Sequence, residues 1–429
     1  MTAPHKRRLL LQGLWAVAAT PAFAGARQLD AVKPPPAGGG IDRAGAALAP
    51  WSAGCLDIHH IATGRGNATF IILPDGTSLL IDAGASAGGP DVSVPTRPDG
   101  SRRAGEWVAR YAQRQLHAAG LSGIDYLLVT HLHPDHLGDV TAASPPARAG
   151  TYRLTGVMDV AALVPIGTVI DRGFPAYDFP TVFEAPFADN YRAFVKARVA
   201  AGERVERFQV GSDRQIGARG YYATPVPFNV RNLAANGEVW DGRDGSIKLF
   251  PPLAQLARAD WPGENECSTA IRIGYGKFSY FTAGDLTSYT DDGARPWRDV
   301  LGPAAQAAGP VSVATADHHG MFDGLNGDVV RRLRPKAWVI PTWHIAHPDM
   351  LQLERMFSQR LYPGPRDVFA TTVMEENLRA NARLAARMRC HDGHIVVRVR
   401  PGGDSFTIAV TANGDEDDRV KLVTGPYAA

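Results

Sequence analysis

Cysteine is nearly missing from this chain: there are three in 429 residues, at Cys55, Cys267 and Cys390. So small and odd a set excludes a disulfide framework and leaves room for one bridge at most. No apolar run is long enough to hold a mature chain in a bilayer. Charge of one sign is lacking, with 45 basic residues against 43 acidic ones. That balance excludes a global field for nucleic acid or a membrane surface. No internal repeat stands out at a fixed period. Histidine is scarce at 13 residues, and none lies between His136 and His318. What is present is ordinary for a globular protein, with 45% hydrophobic and 21% charged residues.

The first residues read as a leader. Lys6, Arg7 and Arg8 form a charged region, Leu9 to Ala19 an apolar one, and Ala22-Phe23-Ala24 a small-x-small cleavage site. Arg7-Arg8 followed by three leucines resembles a twin-arginine signal; the alternative is an ordinary secretory signal with two arginines. The expected location is periplasmic or secreted. Removing residues 1–24 takes away three basic residues and no acid, so the net charge moves from +2 to −1. A mature chain of that charge presents no extended nucleic-acid surface and no transmembrane helix, and the expected partner is a small-molecule or phosphoester substrate. Residues 25–50, with KPPPAGGG, read as a linker, and 51–429 as the folded domain.

LDIHHIA, ATFIILP and TSLLIDAG are short β-type runs, the last two joined by a turn at Pro74-Asp75-Gly76. GEWVARYAQRQLHAAG has helical spacing and stops at Gly120. IDYLLVT is a buried strand. Residues 188–202 form a helix within an irregular stretch, about 145–245, that reads as an insertion over the site. Strands resume with SIKLFPP, STAIRIGYG and KFSYFTAGD, then VSVATADHHG and KAWVIPTWH, with helices at 325–333 and 349–361. IVVRVRPGG and SFTIAVT read as a closing hairpin in a C-terminal extension, about 346–429.

Five of the histidines and aspartates crowd into THLHPDHLGD, residues 130–139. His131 and His133 are two apart, so in an extended segment their side chains face the same way. Pro134 then turns the chain and brings Asp135 and His136 forward. One short loop thus offers two imidazoles to one metal ion and a carboxylate with an imidazole to a neighbour. His59 and His60, on a strand beside Ile58 and Ile61, read as core or edge residues rather than ligands. Cys267 reads as buried and inert.

HLHPDH after a hydrophobic strand resembles the signature of the metallo-β-lactamase fold superfamily. LLIDAG with Asp82, FTAGDL with Asp285 and ATADHHG resemble its further motifs in the right order, over roughly residues 55–345. GNATFIILPDGTSLLIDAG and ENECSTAIRIGYGKFSYFTAGD are similar to the ComEC-like subgroup. The resemblance implies an α+β fold, the four-layer αββα sandwich of the metallo-β-lactamase type. It implies an exported hydrolase using a metal-bound hydroxide on phosphodiester or related ester substrates. A carboxylic ester or lactone hydrolase and a non-catalytic metal- or ligand-binding member are the alternatives. The implied cofactor is Zn2+, two ions, with Mn2+ or Fe as substitutes and a weak first site.

Carried onto this chain, the resemblance makes His131 and His133 ligands of the first metal, and Asp135, His136 and His319 ligands of the second, with Asp285 bridging. His318 would face substrate or water, and Asp135 would also accept the product's proton, which makes these two the catalytic candidates. Asp82 would orient the metal loop, and its plain alternative is turn chemistry. The family's middle histidine has no counterpart, and Asp171 is the candidate replacement, ahead of Asp159. Trp343 and His344, after a late strand, are candidates for the pocket wall.

Overall fold

The computed structural model describes residues 40–429. The leader reading, 1–24, and residues 25–39 of the linker reading lie outside the described residues. The chain runs through β1 (Leu56–His60), β2 (Thr69–Ile72), β3 (Ser78–Ile81), α1 (Ala104–Ala118), β4 (Ile124–Val129), α2 (Pro134–Leu137), α3 (Gly156–Leu163), β5 (Ile166–Asp171), α4 (Pro186–Ala200) and β6 (Arg204–Arg207). It continues through β7 (Phe228–Ala235), β8 (Glu238–Trp240), β9 (Ser246–Lys248), β10 (Ala270–Tyr275), β11 (Phe278–Thr282), α5 (Leu301–Ala308), β12 (Val313–Thr315), α6 (Gly327–Leu333) and β13 (Ala337–Ile340). It closes with α7 (Met350–Phe357), β14 (Asp367–Ala370), α8 (Glu375–Ala380), α9 (Ala382–Ala385), β15 (His394–Val399), β16 (Ser405–Thr411) and β17 (Val420–Ala428).

Two sheets result. One has nine strands in the order β17-β16-β15-β1-β2-β3-β4-β5-β6, and the other eight in the order β14-β13-β12-β11-β10-β7-β8-β9. Their inner faces share one core, in which Ile58, Ile71 and Leu128 of the first sheet meet Ile273, Tyr280 and Val339 of the second. A second core packs α1, α3 and α4 on the outside of the first sheet, and a third packs α5, α6 and α7 on the outside of the second. This is the four-layer αββα sandwich.

Periodicity explains the layers. In α1 the apolar residues Trp107, Val108, Tyr111, Ala112 and Leu116 fall on one face and are buried. Glu106 accepts the Arg103 amide (2.9 Å) at its start, and Gly120 ends it with φ 71. In β1, alternation sends His59 outward to Tyr111, whose hydroxyl lies 3.0 Å from its Nδ1, and His60 inward to Tyr280, 5.9 Å between rings.

Three sequence readings are corrected by packing. Residues 40–50 are not linker-like: Asp42 is buried and pairs with Arg398 (2.9 Å), and Ala47 bridges to Arg419. Residues 145–245 are not an added flap, since they supply β5 and β6 to the first sheet and β7 and β8 to the second. Residues 346–429 supply β14 to one sheet and β15 to β17 to the other. The partners of these strands are distant in sequence, so local pattern does not reveal them.

β3, β4, β5 and β6 run parallel, as do β11, β12, β13 and β14. The loops after β3, β4, β11, β12 and β13 carry Asp82, the histidine cluster, Asp285, His318-His319 and Trp343-His344.

Candidate metal centre

Just past β4, Thr130 and His131 leave the sheet, and α2 begins at Pro134. The two loops after β3 and β4 interlock: Ala83 N donates to His136 O (2.9 Å) and Ala85 N to Pro134 O (3.1 Å). No side chain fits there. A Cβ on Gly84 would lie 1.9 Å from the Asp135 carbonyl oxygen.

Asp82 is fully buried and sits in the left-handed region at φ 60, a conformation that costs a non-glycine residue free energy. Its carboxylate repays this with contacts. It accepts from Thr130 N (2.8 Å), Thr130 Oγ1 (2.9 Å) and Asn67 Nδ2 (3.0 Å), and His136 Nδ1 donates to it (2.7 Å). That last bond fixes the ring and turns His136 Nε2 toward Asp285 Oδ1 (3.1 Å) and His319 Nε2 (3.2 Å). His319 is held the same way, its Nδ1 donating to Pro341 O (2.8 Å). Its Nε2 faces Asp135 Oδ2 (3.0 Å). Thr130 Oγ1, already donating to Asp82, accepts from His131 Nδ1 (3.1 Å), which leaves His131 Nε2 facing His133 Nδ1 (3.0 Å) and Asp285 Oδ2 (3.6 Å). His318 and His319 are both left-handed, at φ 50 and 52.

Two groups of ligand atoms result, each within 4.8 Å: Asp135, His136, Asp285 and His319, and His131, His133 and Asp285. Asp285 belongs to both. The donor set fits a divalent cation on three counts. Asp285 Oδ1 is buried with no hydrogen-bond partner among the described residues. With Nδ1 of each ring donating elsewhere, the Nε2 lone pairs of His136 and His319 meet at 3.2 Å with no proton donor between them. Burial opposes a charge on His136, yet Asp285, Asp82 and Asp135 outweigh it and raise its pKa well above the usual value. The site therefore calls for positive charge. Burial likewise opposes the Asp285 carboxylate, but His136, His319, His318 and His131 hold it well below the usual range.

His318 joins neither group. Its Nδ1 donates to Asp323 (2.6 Å), and its Nε2 stands 3.9 Å from Asp285 Oδ2 and 3.2 Å from Asn265 Nδ2. Burial lowers its pKa, but Asp285 and Asp323 push it up to about 9.

Asp171 is not brought to the metal groups, which corrects its reading as the replacement ligand. It ends β5 fully buried and accepts four hydrogen bonds, from Gly173 N (2.8 Å), Phe174 N (2.8 Å), Tyr177 OH (2.6 Å) and Tyr191 OH (2.9 Å). Its lone pairs are taken up by its own loop and by Tyr191 of α4. Asp159 is held by Arg103 (2.6 Å). Among the described residues the first group has three donors.

The walls are aromatic. Phe183 meets the His133 ring edge-on at 5.6 Å, and Trp343 meets His319 at 6.1 Å. His344 lies 5.3 Å from Trp343. His347, which the sequence reading left out of the pocket wall, stacks on His319 at 4.9 Å with 12° between planes. Its position at i+3 from His344, after a strand aimed at the same edge, was the available signal.

Residues 62–153 match the family profile described as metallo-beta-lactamase superfamily. The match covers 92 of the 429 residues, about a fifth of the chain. The matched stretch holds the first four ligand candidates and Asp82, while Asp285 and His319 lie beyond it. No curated protein matches the chain. Among solved structures, a mutant of CmlA beta-hydroxylase is similar at 13% identity with a TM-score of 0.36, over 80% of this chain. This chain spans 54% of that one. Cys55, Cys267 and Cys390 are free and buried, and no helix among the described residues is long and apolar enough to cross a membrane.

Proposed function

We propose that this chain is an exported metal-dependent hydrolase of the ComEC-like kind, acting on phosphodiester or related ester substrates. The observation that carries the reading is one carboxylate, Asp285, shared by two converging groups of imidazole and carboxylate donors. His131, His133 and Asp285 would hold one ion, and Asp135, His136, Asp285 and His319 the other, with zinc the natural choice for such donors. Bound divalent ions supply Lewis acidity and bring the pKa of a water down toward neutrality.

The remaining work falls to the chain. Asp82 and the Pro341 carbonyl hold the His136 and His319 rings in one tautomer each. His318 is steadied by Asp323 and sets the positive charge of its ring beside Asp285, where it stabilises charge developing on a substrate oxygen. Asp135, 14% exposed at its side chain, takes the proton released with product. Phe183 and Trp343 exclude water on two sides. A near-neutral mature charge suits a small phosphodiester better than a long nucleic acid.

The test is elemental analysis of protein purified from the exported fraction, with a panel of aryl phosphodiesters and carboxylic esters. At least one equivalent of metal is expected, with phosphodiester turnover that Asp285→Asn reduces at least a hundredfold. A well-folded protein that binds no metal and turns over nothing would sink the proposal.

A further inference from the structure

Residues 264–269 cross beneath the ligand-bearing loops and touch them at four points. Glu264 Oε1 accepts from Leu132 N (2.7 Å), Asn265 Nδ2 meets His318 Nε2 (3.2 Å), Ser268 Oγ accepts from Asp285 N (3.2 Å), and Thr269 N donates to Thr130 O (3.1 Å). Glu264 is the only carboxylate among these contacts, and it is buried, at 3% side-chain exposure. Arg172, equally buried, clamps it. Nε donates to Oε1 (2.7 Å) and Nη2 to Oε2. Arg172 is itself fixed, its Nη1 donating to Phe179 O (3.0 Å) and Asn236 Oδ1 (2.9 Å).

We propose that Glu264 is a positioning residue for the first metal group: the carboxylate clamped by Arg172 holds the amide between His131 and His133, and so sets the separation and direction of the two imidazoles. The inference rests on the metal reading above. The first group has three donors where the second has four, so it depends more on how well its ligands are prearranged. His133 is also the less buried of its two histidines. The clamp reaches further. Through Phe179 it ties the same amide to the loop that carries Phe183 onto His133. The first group and the pocket wall beside it therefore share one anchor.

The test uses the full chain, freed of metal with a chelator and titrated with Co2+ while its absorption is followed. The double variant Glu264→Leu with Arg172→Met removes acceptor and counter-ion together, so no buried charge is left alone. Glu264→Gln keeps an acceptor for Leu132. Wild type is expected to bind two equivalents. The double variant should keep one equivalent at wild-type affinity and bind the other roughly 10–100-fold more weakly, with Glu264→Gln in between. If the double variant does not fold, Glu264→Gln carries the test, with a selective loss of at least about threefold expected on the scale of an outer-shell effect. A folded variant that binds both equivalents like wild type, or loses both equally, overturns the positioning role alone. A wild type that binds no Co2+ overturns the metal reading and this inference together.

Discussion

Replacing His60 with leucine should flatten the acid sensitivity of the fold. Burial holds three histidines far from the metal groups neutral: His59 at a pKa of about 4, and His60 and His394 at about 3. His59 Nε2 lies 3.9 Å from Asp57, which is paired with Arg398. His60 faces Thr69 and Tyr280. His394 accepts from Ala62 N (3.0 Å) and packs on Tyr111, with Arg114 and Lys421 adding positive charge. All three values lie below the ~6.5 of an unfolded histidine, so the unfolded chain takes up protons first. Their contribution is complete above pH ~6.5 and is lost as pH falls toward the folded values. Each histidine then costs about 1.4 kcal/mol per pH unit, or about 2 kcal/mol between pH 7.5 and pH 5. Three together approach about 6 kcal/mol, comparable to the whole stability of many domains. Buried carboxylates such as Asp42 and Asp125, raised by burial, work in the opposite direction, and comparison with the variant cancels them. Urea unfolding with chelator present, at pH 7.5, 6 and 5, should show wild type losing about 2 kcal/mol more than His60→Leu over that range. Equal losses would refute the reasoning.

Asp171→Asn should lower stability by about 3 kcal/mol, because an amide cannot accept from all four donors, while metal content stays at the wild-type value. A fall in metal content with stability unchanged would return Asp171 to the ligand set. For the leader, Arg7→Lys with Arg8→Lys should trap precursor in the cytoplasm when fractions are blotted; normal export of that variant would count against twin-arginine export.

The ligand motifs were legible because each sits directly after a hydrophobic strand, where the end of β4, β11 or β12 leaves a side chain at the same edge. Asp171 shows the limit of that logic. It too ends a parallel strand, but the following residues fold back and Tyr177 and Tyr191 claim its oxygens, which strand spacing cannot foresee. Glu264 was hidden for a related reason. Its value lies in one backbone amide 132 residues earlier and one guanidinium 92 residues earlier, and no local pattern marks either. Asp42 read as linker because Pro and Gly surround it, whereas a charge from Arg398, 356 residues on, makes it core. Sheet membership of β5 to β8 and β14 to β17 was missed for want of nonlocal pairing, while the strands within 55–145 fall into the first sheet and those within 246–345 into the second.

In the first sheet, β1 lies between β2 and β15, with Leu56 opposite Val399 and His60 opposite Ile395. During synthesis β1 leaves the ribosome well before its partner β15. Until His394 to Val399 leave the ribosome, the middle of that sheet stands as a bare edge, an open template for pairing with other nascent chains. A fragment ending before His394 would therefore aggregate through β1, and the native first sheet forms only after β15 has been made.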